Sequence, residues 1–263
     1  METNKTITSL QNPLVKKVLV LKEKSRERKK TGLFVIEGQR ELELAKKGGY
    51  KFETVFVCLE LLGSSNFQIP DSNSQITVSK LVYEKLAHRG STEGMLAITH
   101  TKPHDLNHLK LSKTPLILVA EAPEKPGNIG ALLRTADAAN IDAVIIANPK
   151  SDLYNPNVIR SSVGCLFTTQ IVMGTSEEII QYLKEQEVKI YCAALSASKN
   201  YIETDFTQSS AIVVGTEATG LTPLWLKNAS QNIIIPMQGQ IDSMNVSVSA
   251  AILIFEAKRQ RGF

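Results

Sequence analysis

The sequence predicts an α/β protein in which a parallel sheet carries helices on both faces, preceded by a smaller α/β unit. Strand and helix patterns alternate along the second half of the chain, as in doubly covered parallel sheets. Strand candidates such as Leu116–Ala120 and Ala211–Val214 are continuously apolar, which indicates burial on both faces. The 263 residues, 43% hydrophobic and 21% charged, leave room for two modest domains.

Composition argues against membrane and secreted classes. No apolar run approaches the roughly 18 residues of a membrane span, and Met1–Lys5 lacks a signal-peptide pattern. Three widely spaced cysteines, Cys58, Cys165 and Cys192, form no C-x-x-C pair and fit a reducing compartment. We therefore expect a cytoplasmic protein without a membrane partner.

The N-terminus is strongly basic. Residues 1–30 carry nine Lys or Arg against three Glu, so the net charge of +4 divides into +6 here and −2 elsewhere. We predict a helix over Thr8–Lys30, within a basic helical arm of residues 1–31, with an apolar stripe at Leu14, Val18 and Leu21. Such an arm can neutralise phosphates. A solvated charged helix face explains the same run.

The pattern of residues 32–105 predicts a small α/β domain. This segment contains no combination of a nucleophile, a base and an acid that would indicate a catalytic site. Its predicted elements are strand Leu33–Ile36, helix Gln39–Lys47, strand Glu53–Cys58, helix Glu60–Leu62, strand Gln75–Val78, helix Ser79–His88 and strand Met95–His100. His100, His104 and His108 have metal-ligand spacing for a helix. However, Pro103 would interrupt a helix that carried these three histidines, and the composition around them is that of a linker. We place the linker at residues 106–114 and expect no metal site.

Residues 115–263 predict the larger domain. After Leu116–Ala120 come helix Ile129–Ala139, strand Ala143–Ala147, strand Thr168–Met173, helix Glu177–Gln186, strand Lys189–Leu195, strands Ala211–Val214 and Asn232–Ile235, and a helix that ends at Arg261. Ser243 and Asn245 are alternative N-caps of this last helix. Polar loops after the last two strands form a place where backbone groups can hold a small ligand.

Several common catalytic motifs are absent. Glu121–Gly130 does not read G-x-G-x-x-G. Gly215–Gly220 has P-loop glycine spacing, but Leu221 stands where the lysine is required. No histidine follows position 108, which excludes a hydrolase triad in this domain. Arg134 is the one basic residue in a small, apolar helix, and Asp137 at i+3 is a possible ion-pair partner.

Three segments together resemble the signature motifs of the SpoU (TrmH-like) RNA ribose 2′-O-methyltransferases, in the SPOUT superfamily. They are Asn128–Ala136, Gly215–Leu221, and Ile235-Pro-Met237 followed by Ser243–Ser249, in the order and spacing of that family. The segment Gly32–Thr99, with Phe34-Val-Ile-Glu-Gly38 near its start, resembles the L30e-like substrate-binding domain that often precedes this catalytic domain.

This resemblance implies a deep C-terminal trefoil knot that holds S-adenosylmethionine and a homodimer whose sites are shared between chains. Helix Val246–Phe255 is a candidate for the dimer interface through Val246, Ala250, Leu253 and Ile254, and a role in the domain's own core explains these residues equally well. By position, the cofactor-binding residues are Leu195, Gly215, Ile235 and Met244, and Met244 departs from the usual leucine. The catalytic residues implied are Arg134, Asn128, Glu217, Ser243 and Asn245.

The resemblance implies methyl transfer to a ribose 2′-hydroxyl of RNA, with 23S-type large-subunit ribosomal RNA favoured over transfer RNA by the two-domain layout. Arg134 suits bidentate binding of the target phosphate. Glu217, a water or that phosphate remain alternatives for the proton acceptor, since a guanidinium resists deprotonation. A non-catalytic RNA-binding protein and a base methyltransferase are the alternative functions.

Overall fold

The computed structural model describes residues 6–62, 72–88, 93–195, 199–216, 218–241 and 243–263. The chain forms two compact units. One comprises Met1–Lys102 with Tyr154–Arg160, and the other comprises Pro103–Leu153 with Ser161–Phe263. No helix among the described residues is long and apolar enough to cross a membrane.

The N-terminal unit is a mixed sheet covered by helices. Its elements are β1 (Thr6–Ile7), α1 (Pro13–Glu23), α2 (Ser25–Thr31), β2 (Leu33–Glu37), α3 (Gln39–Lys47), β3 (Phe52–Val57), α4 (Leu59–Leu62), β4 (Ser72–Val78), α5 (Lys80–Leu86) and β5 (Met95–His100). The described strands run in the order β1-β4-β3-β5-β2, with β5 antiparallel to both neighbours. Its core contains Val15, Val18 and Leu21 of α1, packed with apolar residues of α5 and of the sheet.

The single helix predicted over Thr8–Lys30 is wrong, because the chain breaks at Lys24. Lys24 is extended (φ −108°, ψ 104°), which ends α1 and begins α2. Arg28 is buried and turns back, donating from Nη1 to the carbonyls of Leu21 (2.6 Å) and Lys22 (3.1 Å). These bonds satisfy carbonyls that the end of α1 leaves without helical partners. The described part of the predicted arm thus contributes to this unit's core, and the boundary at residue 31 stays a prediction.

An aromatic cluster explains why Tyr154–Arg160 groups with the N-terminal unit. The Tyr154 ring packs 4.2 Å from the Phe34 ring, centroid to centroid. The Tyr50 and Tyr154 hydroxyls lie 3.3 Å apart, and burial raises the pKa of Tyr50. The backbone N–H of Lys102 donates to the Tyr154 hydroxyl at 3.0 Å. Nothing in the polar run around Tyr154 predicts this placement from sequence.

The C-terminal unit is built on a parallel sheet, as predicted. Its elements are β6 (Leu116–Glu121), α6 (Pro126–Ala138), β7 (Ala143–Ala147), α7 (Pro156–Ser162, shared with the other unit), β8 (Ile171–Gly174), α8 (Ser176–Glu185), β9 (Lys189–Ala193), β10 (Lys199–Asn200), β11 (Ser210–Val214), α9 (Pro223–Asn228), β12 (Gln231–Ile234) and α10 (Val246–Arg261). The described strands follow the order β10-β12-β9-β11-β6-β7-β8, all parallel.

Helices cover both faces of this sheet. Ile117 and Val119 of β6 pack in a core cluster with residues of α8 and α9, including Trp225. Because side chains alternate along a strand, Leu118 and Ala120 face the opposite layer, where α6 and α10 contact the sheet and each other. Residues Leu106, Leu109 and Leu111 of the predicted linker are partly buried against the α8–α9 cluster.

Candidate active site

A cavity of about 450 Å³ opens where three neighbouring strands of the C-terminal sheet end. Leu195 follows β9, Gly215 follows β11 and Ile235 follows β12. The four predicted cofactor-binding residues all line this cavity: Leu195, Gly215, Ile235 and Met244. Ser243, from the loop before α10, lines it as well. The carboxyl edge of a parallel sheet is where such folds bind ligands.

The loop after β11 is closed by its own backbone. Thr216 and Gly220 exchange N–H···O=C bonds of 3.1 and 3.0 Å, and the Thr219 N–H donates to Thr216 Oγ1 at 3.1 Å. A Cβ on Gly215 would lie 2.2 Å from the carbonyl carbon of Gly220, so a larger residue cannot fit without moving backbone. Gly220 has φ +66°, a conformation that glycine adopts without cost. Glu217, predicted as catalytic, lies outside the described residues.

Two predicted polar residues meet at the start of α10. Asn245 is the N-cap, with Oδ1 accepting from the Ser247 N–H at 2.9 Å and from its hydroxyl at 2.6 Å. Its amide nitrogen donates to Asn128 Oδ1 at 3.1 Å. Asn128 lines a second cavity, of about 150 Å³, that shares Gly215 and Val246 with the larger one. The alternative N-cap, Ser243, faces the larger cavity instead.

Arg134 is not brought to this cavity within the chain. It lies on α6 six residues beyond Asn128, about 9 Å further along the helix at 1.5 Å per residue. Its side chain is exposed, lines neither cavity, and forms no hydrogen bond or ion pair with a described residue. Asp137, the alternative partner, accepts a hydrogen bond from the Thr168 hydroxyl at 3.2 Å.

The packing of α6 depends on a glycine within the Asn128 motif. A Cβ on Gly130 would lie 2.0 Å from Ser161 Oγ and 2.6 Å from the backbone nitrogen of Ser162. The Ser161 hydroxyl also donates to the Pro126 carbonyl at 3.2 Å. These contacts fix the first turns of α6, and with them Asn128, against residues 161–162. A glycine inside a helical pattern is the sequence signal for such an approach.

Sequence reasoning missed a buried carboxylate that holds the end of the loop after β11. Glu121, the last residue of β6, is 2% exposed and accepts two hydrogen bonds of 2.8 Å from Thr222, one from its N–H and one from its hydroxyl. A charged residue ending a continuously apolar strand was the available signal. The Cys192 thiol lies nearby, and burial, followed by the negative charge of Glu121, raises its pKa to about 12. Cys192 therefore stays protonated and is a poor nucleophile.

The histidines and cysteines provide no metal centre in the described part of the chain, where no group of three or more His, Cys, Asp or Glu side chains is arranged to hold an ion. His104 Nδ1 contacts the Ile171 carbonyl at 3.0 Å, and His108 pairs with Asp105 at 2.8 Å. Pro103 precedes both, and only a short 3₁₀ turn, Leu106–His108, forms there.

Comparison with known proteins identifies the family. The model of the SpoU rRNA Methylase family matches residues 115–255, and that of the MRM3-like substrate binding domain matches residues 12–97. The 23S rRNA (guanosine(2553)-2′-O)-methyltransferase RlmP of Bacillus subtilis (strain 168) is 31% identical over 258 residues, which is 97% of this chain and 99% of that protein.

Solved structures agree. A crystal structure of an RNA 2′-O ribose methyltransferase aligns with a TM-score of 0.83 and 37% identity, covering 97% of this chain and 99% of that one. The SpoU methyltransferase AviRb from Streptomyces viridochromogenes, in complex with AdoMet, aligns with a TM-score of 0.87 over 95% of this chain and 98% of that one. Its 24% identity shows the shared fold alone. The chain belongs to the SpoU rRNA methylase family, as its three polar motifs indicated.

Proposed function

We propose that the chain transfers a methyl group from S-adenosylmethionine to a ribose 2′-hydroxyl of 23S ribosomal RNA in the cytoplasm. The observation that carries this proposal is the cavity at the ends of β9, β11 and β12, with the Asn128–Asn245 amide pair beside it. The relative named for this reaction on 23S rRNA matches nearly the whole chain, including the N-terminal unit. A non-catalytic RNA-binding protein would have no need of the closed glycine loop that shapes this cavity.

The residues around the cavity fit S-adenosylmethionine. Its volume of about 450 Å³ falls in the range of small-molecule sites, about 300–1,000 Å³. Leu195, Leu226 and Met237 supply apolar surface for an adenine ring, and the loops at Gly215 and Met244 bring backbone polar groups to it. The bound cofactor supplies an electrophilic methyl group. The last loops and α10 enclose it in a deep trefoil knot in our proposal, which the resemblance to the SPOUT superfamily supports.

The chain's own contribution to catalysis is alignment of the ribose. Holding two reactants in the correct geometry can supply about 7–11 kcal/mol of the barrier. Asn128 and Asn245 hold each other where α6 and α10 begin, and Ser243 lies at the cavity wall, so all three are placed to orient a nucleotide. Arg134 binds the target phosphate through its planar fork of donors.

The ribose hydroxyl must lose a proton as it attacks. Three acceptors fit the chemistry: the Glu217 carboxylate, a water, and the phosphate that Arg134 and Ser243 hold. An arginine side chain does not serve as this base, because a guanidinium resists deprotonation in proteins.

The position of Arg134 supports a homodimer with shared sites. An exposed arginine without a described partner, which lines neither cavity of its own chain, can serve the cavity of a second copy. Three of the residues predicted for the interface, Ala250, Leu253 and Ile254, are instead fully buried in the chain's own core. The same helix α10 exposes Val248 and Phe255, which we assign to the two-fold contact in their place.

A mixed dimer tests this arrangement. Chains carrying Arg134→Ala and chains carrying Gly215→Ala are each expected to be inactive. In a dimer of one of each, one site joins an intact cavity to an intact arginine, so activity should return to about half that of wild type. Differently tagged chains allow the mixed dimer to be purified. No recovery in the purified mixed dimer would show that each chain supplies its own arginine.

The N-terminal unit, which we propose is an L30e-like domain, binds the RNA. Lys24, Arg26, Lys29 and Lys30 are exposed on and beside α2 and form no ion pair with described residues. Lys17 and Lys22, in contrast, pair with Glu53 and Glu37. Free cations of this kind release counterions when they bind phosphates, so RNA affinity should fall steeply with salt.

The choice of RNA is tested directly with labelled cofactor. Purified protein is incubated with S-adenosylmethionine carrying a labelled methyl group, and with either 23S rRNA or total tRNA from a strain that lacks the gene. Label is expected in the 23S rRNA. Transfer to tRNA alone would replace the rRNA assignment with the tRNA alternative.

A further inference from the structure

Glu121 and Thr222 form a link between two distant parts of the C-terminal unit. Each carboxylate oxygen of Glu121 accepts one hydrogen bond from Thr222: Oε2 from the N–H and Oε1 from the hydroxyl, both at 2.8 Å. The two residues are 101 positions apart in sequence.

The link is needed because no cation among the described residues pairs with this buried carboxylate. Glu121 is 2% exposed, and it forms no ion pair with any residue that the structure describes. A buried carboxylate is costly unless hydrogen bonds compensate it. The two donors of Thr222 are therefore the main compensation that the described residues give Glu121.

Thr222 is the point where the cofactor loop ends. The loop starts at Gly215, directly after β11, and is closed by the Thr216–Gly220 backbone pair. Leu221 then enters the core at 8% exposure, and Thr222 is the N-cap residue of α9. The Thr222 side chain is exposed, so packing alone does not fix its position, which depends on its hydrogen bonds to buried groups. Glu121 provides the hydrogen bonds that hold it there.

We infer that Glu121 is a positioning residue for the cofactor: by holding Thr222 it keeps the cavity-lining residues Gly215, Thr216, Gly220 and Leu221 in the arrangement that binds S-adenosylmethionine. This inference rests on the proposed function and adds a residue outside the three family motifs. Glu121 does not act as the proton acceptor, because it is buried and lines neither of the two cavities.

The test separates cofactor affinity from turnover. Glu121→Ala should weaken binding of S-adenosylhomocysteine, measured by calorimetry, by about tenfold, equivalent to about 1.4 kcal/mol. The kcat at saturating cofactor should change by less than about twofold, since saturation restores the bound state. Glu121→Gln keeps an acceptor for the Thr222 N–H and a group that pairs with its hydroxyl, so it should restore wild-type affinity.

Asp142→Ala is the matched control. Asp142 holds two backbone N–H groups at the other end of the same strand, those of Ser112 (2.8 Å) and Leu116 (2.9 Å). Its loss should lower thermal stability without weakening cofactor binding. Thr222→Val removes only the hydroxyl donor at an exposed position, and should weaken binding about threefold even if Glu121→Ala does not fold.

Each outcome decides between the possibilities. Wild-type affinity in both Glu121→Ala and Thr222→Val would overturn the inference, as would a Glu121→Gln variant as weak as Glu121→Ala, since charge and not position would then matter. Gly215→Ala distinguishes failure of the proposed cofactor site from failure of the inference about Glu121. If it binds S-adenosylhomocysteine normally, both the cavity assignment and the inference fail. If Gly215→Ala loses binding while Glu121→Ala and Thr222→Val keep it, only the inference about Glu121 fails.

Discussion

Replacing Arg134 with alanine is expected to lower kcat for RNA methylation by at least about a hundredfold, the cost of misplacing a reacting group by about 1 Å. The affinity for S-adenosylhomocysteine should stay within about twofold of wild type, because Arg134 is assigned to the target phosphate and not to the cofactor. Radiometric methyl transfer and calorimetric titration measure the two quantities on the same preparation.

Two further variants sharpen the interpretation of Arg134. Arg134→Lys keeps the charge and loses the planar fork, so activity should remain well below wild type if bidentate phosphate binding is required. Lys227→Ala removes an exposed cation from α9 and should leave methyl transfer unchanged, which controls for loss of charge alone. Loss of cofactor binding in a folded Arg134→Ala protein would contradict the role assigned to this residue.

Replacing Gly215 with alanine is expected to reduce affinity for S-adenosylhomocysteine by at least about a hundredfold, more than about 2.7 kcal/mol. The added Cβ would lie 2.2 Å from the Gly220 carbonyl carbon and 2.5 Å from the Leu221 nitrogen. Both are backbone atoms, so the loop itself must open and the cavity must change shape. Cofactor binding is measured by calorimetry, and circular dichroism verifies that the variant is folded.

Gly239→Ala is the control for the Gly215 variant. It lies in the loop after β12, and a Cβ there would meet no atom within 4 Å, so cofactor affinity should be unchanged. If Gly215→Ala also bound the cofactor normally, the loop would tolerate a side chain. The 450 Å³ cavity would then lose its assignment as the cofactor site.

Most of the fold was predictable where local pattern and tertiary role agree. Continuous apolar runs such as Leu116–Ala120 and Ala211–Val214 are fully buried strands of a parallel sheet, as predicted. The break at Lys24 was not predictable, because the buried Arg28 that caps α1 looks like any other cation in a charged run. The strand predicted at Thr168–Met173 begins only at Ile171. The backbone N–H groups of Thr168 and Thr169 donate to the Cys165 carbonyl, at 3.2 and 3.0 Å, as part of the turn that follows the 3₁₀ segment 165–167.

Some features of the candidate site could also be predicted from the sequence, and others could not. Residues that act through backbone in loops after strands, such as Gly215 and Ile235, were identifiable from motif position and do line one cavity. Asn245 was one of two possible caps, and only the structure selects it. The Glu121–Thr222 link joins residues 101 positions apart. A charge at the end of an apolar strand marks Glu121, but nothing in the sequence indicates Thr222 as its partner. Pairings of this kind depend on tertiary packing.

The most direct test of the central claim is the position of the methyl group within the modified nucleotide. The 23S rRNA labelled by the purified protein is hydrolysed with alkali, which requires a free 2′-hydroxyl to cleave the adjacent phosphodiester. A ribose 2′-O-methyl group blocks that cleavage, so the label should appear in an alkali-stable dinucleotide and should be absent after reaction with Arg134→Ala. Label in a mononucleotide would instead show base methylation and contradict the proposed reaction.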